Sequence, residues 1–207
     1  MSGNFAEISF TPSVLEAQER YGSRTIYSRL DGVPAEPATL GTIETGFIEA
    51  RDGFYQATVS ETGWPYVQFR GGPAGFLKVL DDRTIGYADF RGNRQYLSVG
   101  NISGNDRVAL ILMDYARQRR LKIWARARIV HRDEAPELVA SLEMPDYRAR
   151  VERAVVLTVE AFDWNCPQHI EPRFTEAEIM ARTRPLEERI CYLEGMLSGR
   201  TDGHCEC

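Results

Sequence analysis

The sequence predicts a mainly β protein with peripheral helices, and three observations carry that prediction. Between residues 54 and 164, apolar runs of strand length recur between turn signals. Within them, Leu121, Ile123, Ala125, Ala127 and Ile129 share one face and Lys122, Trp124, Arg126 and Arg128 the other, the period-2 pattern of a half-buried strand. Helix-forming segments gather at the two ends of the chain. Helices, then mostly antiparallel strands with a few short helices, then terminal helices suit a closed or partly closed β-barrel, not a βαβ sheet. No GxGxxG follows a first strand, so no Rossmann site is implied.

Each element has its own justification. Thr11-Pro12-Ser13 caps a first helix that Gly22 stops. Residues 23–38, with Gly32, Pro34 and Pro37, read as a loop or extended arm. Ile43 to Ala50 places apolar residues at helical spacing and ends before Asp52-Gly53. Phe54 to Ser60 and Pro65 to Arg70 are strands of one hairpin about the turn Glu61-Thr62-Gly63-Trp64. Phe76 to Leu80 and Thr84 to Ala88 are strands about the turn Asp81-Asp82-Arg83. Asn93 to Val99 is a helix, Arg107 to Tyr115 a strongly apolar strand, and Leu121 to Ile129 the alternating one. Asp133 to Glu143 is a helix and Ala154 to Trp164 the last strand. Glu176 to Thr183 and Leu186 to Leu197 are two helices, the second with Ile190, Leu193 and Leu197 on one stripe, as a docking or dimer helix has. Residues 1–52 are thus helices and an arm packed on the barrel, 53–173 the barrel domain, and 174–207 C-terminal helices and a flexible tail.

Bulk properties narrow the function classes. The 207 residues suit one domain with short appendages, and 43% hydrophobic with 27% charged residues is ordinary for a soluble protein. A net charge of −5 argues against a general nucleic-acid binder. The N-terminus lacks the basic and apolar regions of a signal peptide, and apolar runs are too short for a transmembrane helix. Cys166, Cys191, Cys205 and Cys207 cluster late in the chain, unlike an exported disulfide framework. The expectation is a reducing, cytoplasmic location without membrane or nucleic-acid partners.

The chemistry concentrates between Gln68 and Arg94. Gln68 and Arg70 lie two apart on a strand, so both point the same way, and an arginine there can fork onto phosphate. The bland alternative is an arginine on a solvated face. Gly71-Gly72-Pro73 permits close backbone approach to a ligand. Arg91-Gly92-Asn93-Arg94 is read as opening a helix, where arginines oppose the helix dipole unless an anion is present. A plain N-cap is the competing reading. Arg117 and Arg119 read as solvated turn residues, whereas Arg120 begins a polar strand face that would meet a ligand or a partner subunit. His169 sits in an irregular loop with Gln168 and Arg173 and is the one weak candidate for acid–base work, against a loop histidine bonded to backbone. Cys166 lacks an orienting residue for a nucleophile, the His204-Cys205-Glu206-Cys207 tail lacks a closed ligand set, and Trp64 and Trp124 read as packing residues; no metal is expected.

The run from Pro65 through Ile129 resembles the pyridoxamine 5′-phosphate oxidase-like, FMN-binding split-barrel family. The matching pieces, in order, are Pro65-Tyr66-Val67-Gln68-Phe69-Arg70, Gly75-Phe76-Leu77-Lys78-Val79-Leu80-Asp81, Tyr87-Ala88-Asp89-Phe90-Arg91-Gly92-Asn93-Arg94 and Arg119-Arg120-Leu121-Lys122-Ile123-Trp124-Ala125. Trp164 to Arg173 is similar to a subgroup of FMN-binding proteins. The resemblance implies a six-stranded antiparallel split β-barrel and FMN at a homodimer interface. It implies that Gln68, Phe69, Arg70 and Gly71 lie along the cofactor and that Tyr87, Ala88 and Asp89 offer backbone to its ring. Gly92, Asn93 and Arg94 would hold the phosphate, Arg120 would touch the flavin, and Gln168 and Arg173 would close over it. Gln68, Phe69-Arg70-Gly71-Gly72-Pro73 and Asn93-Arg94 depart from the oxidase proper, and its substrate-binding C-terminal ending is not recognisable, so pyridoxamine phosphate is not implied as substrate. The expected function is an FMN-dependent oxidoreductase of a small molecule. The alternatives are a flavin- or haem-binding sensing module without turnover, with His169 or His131 as axial ligand, and a structural dimer with a vestigial site.

Overall fold

The computed structural model describes residues 4–33, 36, 38–165 and 167–197. One antiparallel sheet of seven strands dominates, in the order β2-β1-β5-β6-β7-β4-β3. The strands are β1 (Gly53–Val59), β2 (Pro65–Gly71), β3 (Leu77–Val79), β4 (Thr84–Phe90), β5 (Arg107–Asp114), β6 (Arg119–Val130) and β7 (Val151–Asn165). The helices are α1 (Asn4–Ser9), α2 (Pro12–Arg20), α3 (Arg24–Tyr27), α4 (Thr42–Glu49), α5 (Leu97–Gly104), α6 (Pro136–Leu142) and α7 (Glu176–Leu197). The sheet curls into a split barrel with helices at its periphery. Seven strands stand where the family resemblance implies six, and the shortest, the three-residue β3, lies at one edge of the sheet.

The alternation that predicts β6 becomes its burial pattern. Leu121, Ile123, Ala125 and Ala127 enter the core, and Leu121 and Ile123 are wholly buried. β7 pairs β6 along one edge and β4 along the other, so the long last strand joins the two halves of the sheet. Irregularities at Trp124/Ala125 and Asp89/Phe90 sharpen the local twist. The barrel is drawn together by side chains instead of backbone pairs where β1 and β2 face β4. The Tyr87 hydroxyl donates to Gln56 Oε1 at 2.7 Å, and the rings of Phe54 and Tyr87 meet edge to face at 5.4 Å. α4 packs Phe47 and Ile48 into the core, with Phe47 against Trp164 at 4.7 Å and Trp164 Nε1 donating to Glu44. α6 caps the smaller core of Ala88, Val130 and Ala154 with Val139 and Leu142.

Several boundaries differ from the sequence expectation. The expected loop over 23–38 contains α3 and a 3-10 turn at Ser28–Leu30. α5 begins at Leu97, not Asn93, because Arg94 and Tyr96 adopt left-handed backbone (φ 65° and 54°) that cannot start a helix. α7 runs through Pro185 as one helix where two were expected. Arg117 is a solvated turn residue beside Asp114, its side chain 70% exposed, whereas Arg119 stacks on Trp164 and Phe47 with its guanidinium 4.5 and 5.4 Å from the ring centres and is not a plain solvated turn residue. Cys191 is disulfide-bonded, against the reduced state expected of it. Cys166 and the His204–Cys207 tail lie outside the described residues. No helix is long and apolar enough to cross a membrane among the described residues.

Candidate functional site

The parity of β2 sorts its residues into two environments. Phe54 and Gln56 of β1 are buried and lie opposite Arg70 and Gln68, so cross-strand pairing turns Arg70, Gln68 and Tyr66 toward the barrel interior. There they border a cleft with Asp89 of β4, Glu152 of β7 and residues 92–99 leading into α5. The cleft holds about 50 Å³, room for an anion of phosphate size and far less than the ~300–1,000 Å³ of a whole ligand pocket.

Its floor is an ionic network. Arg70 Nη1 donates to Asp89 Oδ1 at 2.6 Å, and Arg153 Nε lies 3.6 Å from Asp89 Oδ2. Arg153 Nη2 donates to Glu152 Oε2 at 2.6 Å, while Tyr96 Oη donates to Glu152 Oε1 at 3.3 Å with Arg91 3.8 Å from the same oxygen. Burial pushes the Asp89 carboxyl above its ordinary value, against the opposing pull of Arg70 and Arg153. Two donors in this network have no hydrogen-bond partner: Arg70 Nε and Arg153 Nε. Four arginines (Arg70, Arg91, Arg94, Arg153) stand against two carboxylates, so the site keeps an excess of positive charge.

The rim comes from the chain before α5. Asn93 Oδ1 accepts from the Gln95 N–H at 3.1 Å, so Asn93 caps a turn and not a helix. The helix's own bonding begins with Gly100 to Tyr96, which leaves the N–H groups of Leu97, Ser98 and Val99 outside it, and all three residues line the cleft. Ser98 Oγ donates to Gln68 Oε1 at 2.9 Å, which ties the helix start to β2. Together the helix start and Arg94, exposed at the rim, fit a phosphate.

Six expected residues thus meet at one cleft: Gln68, Arg70, Asp89, Gly92, Asn93 and Arg94. The others lie elsewhere. Tyr87 and Ala88 are buried in the core, and burial raises the Tyr87 phenol. Gly71 ends β2 beneath the ring of Phe69. Phe69 occupies the outer face of β2, 58% exposed, with Val67 (58%), Tyr55 (41%) and Ile111 (39%). Arg120 shares the polar face of β6 with Lys122, and its Nε has no hydrogen-bond partner. Arg173 lies over the Tyr115 ring at 5.0 Å, and burial, with the Tyr55 hydroxyl beside it, raises that tyrosine. His169 is exposed with φ 64°, Gln168 is exposed next to it, and no histidine lines the cleft among the described residues. The sequence reading missed Glu152, Arg153, Tyr96 and Ser98. Charged residues opening an otherwise apolar strand were the one available sign of Glu152 and Arg153.

Comparison with known proteins follows the same segment. A family model described as pyridoxamine 5′-phosphate oxidase matches residues 45–164, more than half of the chain. No curated protein matches. Among solved structures, a HupZ variant of Group A Streptococcus is 17% identical, with a TM-score of 0.50 over 61% of this chain and 99% of that one. An FMN-binding protein of Syntrophomonas wolfei is 13% identical (TM-score 0.45, 73% of this chain, 97% of that one). General Stress Protein 26 of Bacillus anthracis is 14% identical (TM-score 0.40, 63% and 93%). At these identities the likeness extends to the fold alone.

Proposed function

The chain belongs to the pyridoxamine 5′-phosphate oxidase family, and from that membership we propose that it binds FMN, works as an FMN-dependent oxidoreductase on a small molecule, and does so as a homodimer. The observation that carries the reading is the cleft between β2, β4 and α5, where Arg70, Arg94 and the first N–H groups of α5 converge on a space of phosphate size. A flavin bound there supplies hydride and electron transfer, which the side chains of this protein cannot perform. The chain's own residues bind and orient. Arg94 and the α5 start hold the phosphate dianion, Gln68 fixes the α5 start through Ser98, and Asp89 holds Arg70 and Arg153 in place.

So small a cleft leaves the ring system to be covered by other surface. The exposed apolar row of Tyr55, Val67, Phe69 and Ile111 on the outer face of β1, β2 and β5 is where we place the second copy. A location inside the cytoplasm completes the proposal.

The purified protein should carry a flavin absorbance that mass analysis identifies as FMN, or take up added FMN; protein that does neither sinks the reading. Arg94→Asn keeps a residue that tolerates the left-handed backbone and removes the charge. It should weaken FMN about tenfold or more and leave riboflavin unchanged, because a charge-assisted bond to phosphate contributes about 1.5–3 kcal/mol. Equal losses for the two flavins would refute a phosphate contact.

A further inference from the structure

α7 buries none of its 22 residues, although Ile179, Leu186, Ile190, Leu193 and Leu197 are between 41% and 88% exposed. An apolar stripe left this exposed among the described residues marks a contact surface, so the face has a destination. The pattern of that face identifies it. Ile179, Thr183, Leu186, Ile190, Leu193 and Leu197 follow one another at alternating steps of four and three, an unbroken heptad seam. Ile190 occupies an a position flanked by Leu186 and Leu193 at d, the Ile-at-a, Leu-at-d choice that favours two parallel strands, while Ile179 at d and Thr183 and Leu197 at a complete the seam.

The flanking positions carry a second, independent regularity. Arg182 and Arg189 are at g, Glu187 and Glu194 at e. In a parallel pair each g residue faces the e residue five positions later on the other helix, which sets Arg182 against Glu187 of the partner subunit and Arg189 against Glu194 of the partner subunit. The outward positions hold what a seam rejects: Pro185 at c, Gly195 at f, and the Arg184–Glu188 ion pair (3.0 Å) at b and f. Within the single chain Arg182 lies over Phe174 and Arg189 over Tyr192. We propose that α7 pairs with α7 of a second copy of this chain as a short parallel left-handed coiled coil. This inference rests on the helix and not on the cofactor cleft.

The test uses the full-length chain with its four cysteines replaced by serine. Leu193→Cys should form a symmetric intermolecular disulfide under mild oxidation, whereas Glu188→Cys, on the outer face, should not. In the unaltered background, Arg182→Glu with Arg189→Glu should raise the dimer dissociation constant about tenfold in sedimentation equilibrium, since four e/g contacts become repulsive. Adding Glu187→Arg and Glu194→Arg should restore it. No residue five positions away on the same helix can rescue in this way. Cross-linking at 188 equal to that at 193, no cross-link at 193, or a four-residue swap that fails to restore association overturns the parallel pairing. Arg94→Asn should weaken FMN and leave the Leu193→Cys cross-link unchanged, which separates this outcome from the fate of the cleft.

Discussion

The two faces of β2 are built from alternate residues of one seven-residue strand, yet they obey different physics. Inward, beside Tyr66, Gln68 and Arg70 meet buried polar partners through a hydrogen bond and an ion pair of fixed geometry. Outward, Val67 and Phe69 form an apolar surface whose only internal structure is packing. The ring of Phe69 sits 5.4 Å from Tyr55 and covers Gly53 and Gly71, where an added Cβ would lie 2.4 and 2.8 Å from its carbons. A strand with polar residues facing in and apolar residues facing out reverses the usual rule. The reversal is intelligible if the inside holds a charged ligand and the outside a protein.

The largest expected effect breaks the inner face. Arg70→Ala removes the 2.6 Å partner of a buried carboxylate and leaves Asp89 with only the more distant Arg153. Breaking one side of a buried pair costs about 3 kcal/mol, to be read from urea unfolding. A loss under about 0.5 kcal/mol, the scale of an ordinary surface substitution, would mean that Arg70 is not structurally committed to Asp89. The corresponding change outside is milder. Phe69→Ala should cost about 1 kcal/mol in folding, from the lost Tyr55 contact, and should weaken self-association in sedimentation experiments. Unchanged association would remove Phe69 from the interface.

Gly53→Ala tests the same face at finer scale. Its new methyl would collide with a mobile ring end, so the ring swings aside at a cost of about 1 kcal/mol. In the Phe69→Ala background that cost should vanish, and a double-mutant cycle that shows simple additivity would dissociate the ring from the glycines.

Sequence parity made this contrast legible, since Gln68 and Arg70 on one side of a strand follow from spacing alone. The split barrel was legible too, because the strands announce themselves through turns and through the alternation of 121–129. What could not be read was the partner of Arg70. Asp89 was named as a backbone contact to a ring, and its ionic role emerges only when β4 pairs β7 and brings Arg153 opposite it. Such pairings join residues far apart in sequence, and no local pattern encodes them. The start of α5 was missed for another reason: Asn93 makes the same side-chain-to-backbone bond in a turn that it would make as a helix cap. Left-handed Arg94 and Tyr96, residue types not biased to that conformation, gave no warning.

The smallest effect concerns protons. Because burial holds the Asp89 carboxyl above its ordinary value even beside two arginines, the folded state prefers the neutral acid more than the unfolded chain does. The stabilisation linked to that proton is complete below the unfolded carboxyl value of about 3.9 and is lost as pH rises through the higher folded value. Asp89→Asn is neutral at every pH and lacks this dependence. The stability of the wild type relative to Asp89→Asn should therefore rise by a few tenths of a kcal/mol or more as pH falls from neutrality into the carboxylate range. If it falls instead, the Arg70 and Arg153 attractions outweigh burial, and the inner face of β2 is an ordinary salt bridge. A rise identifies a strained one, in which Asp89 holds Arg70 weakly enough for a phosphate to compete for it.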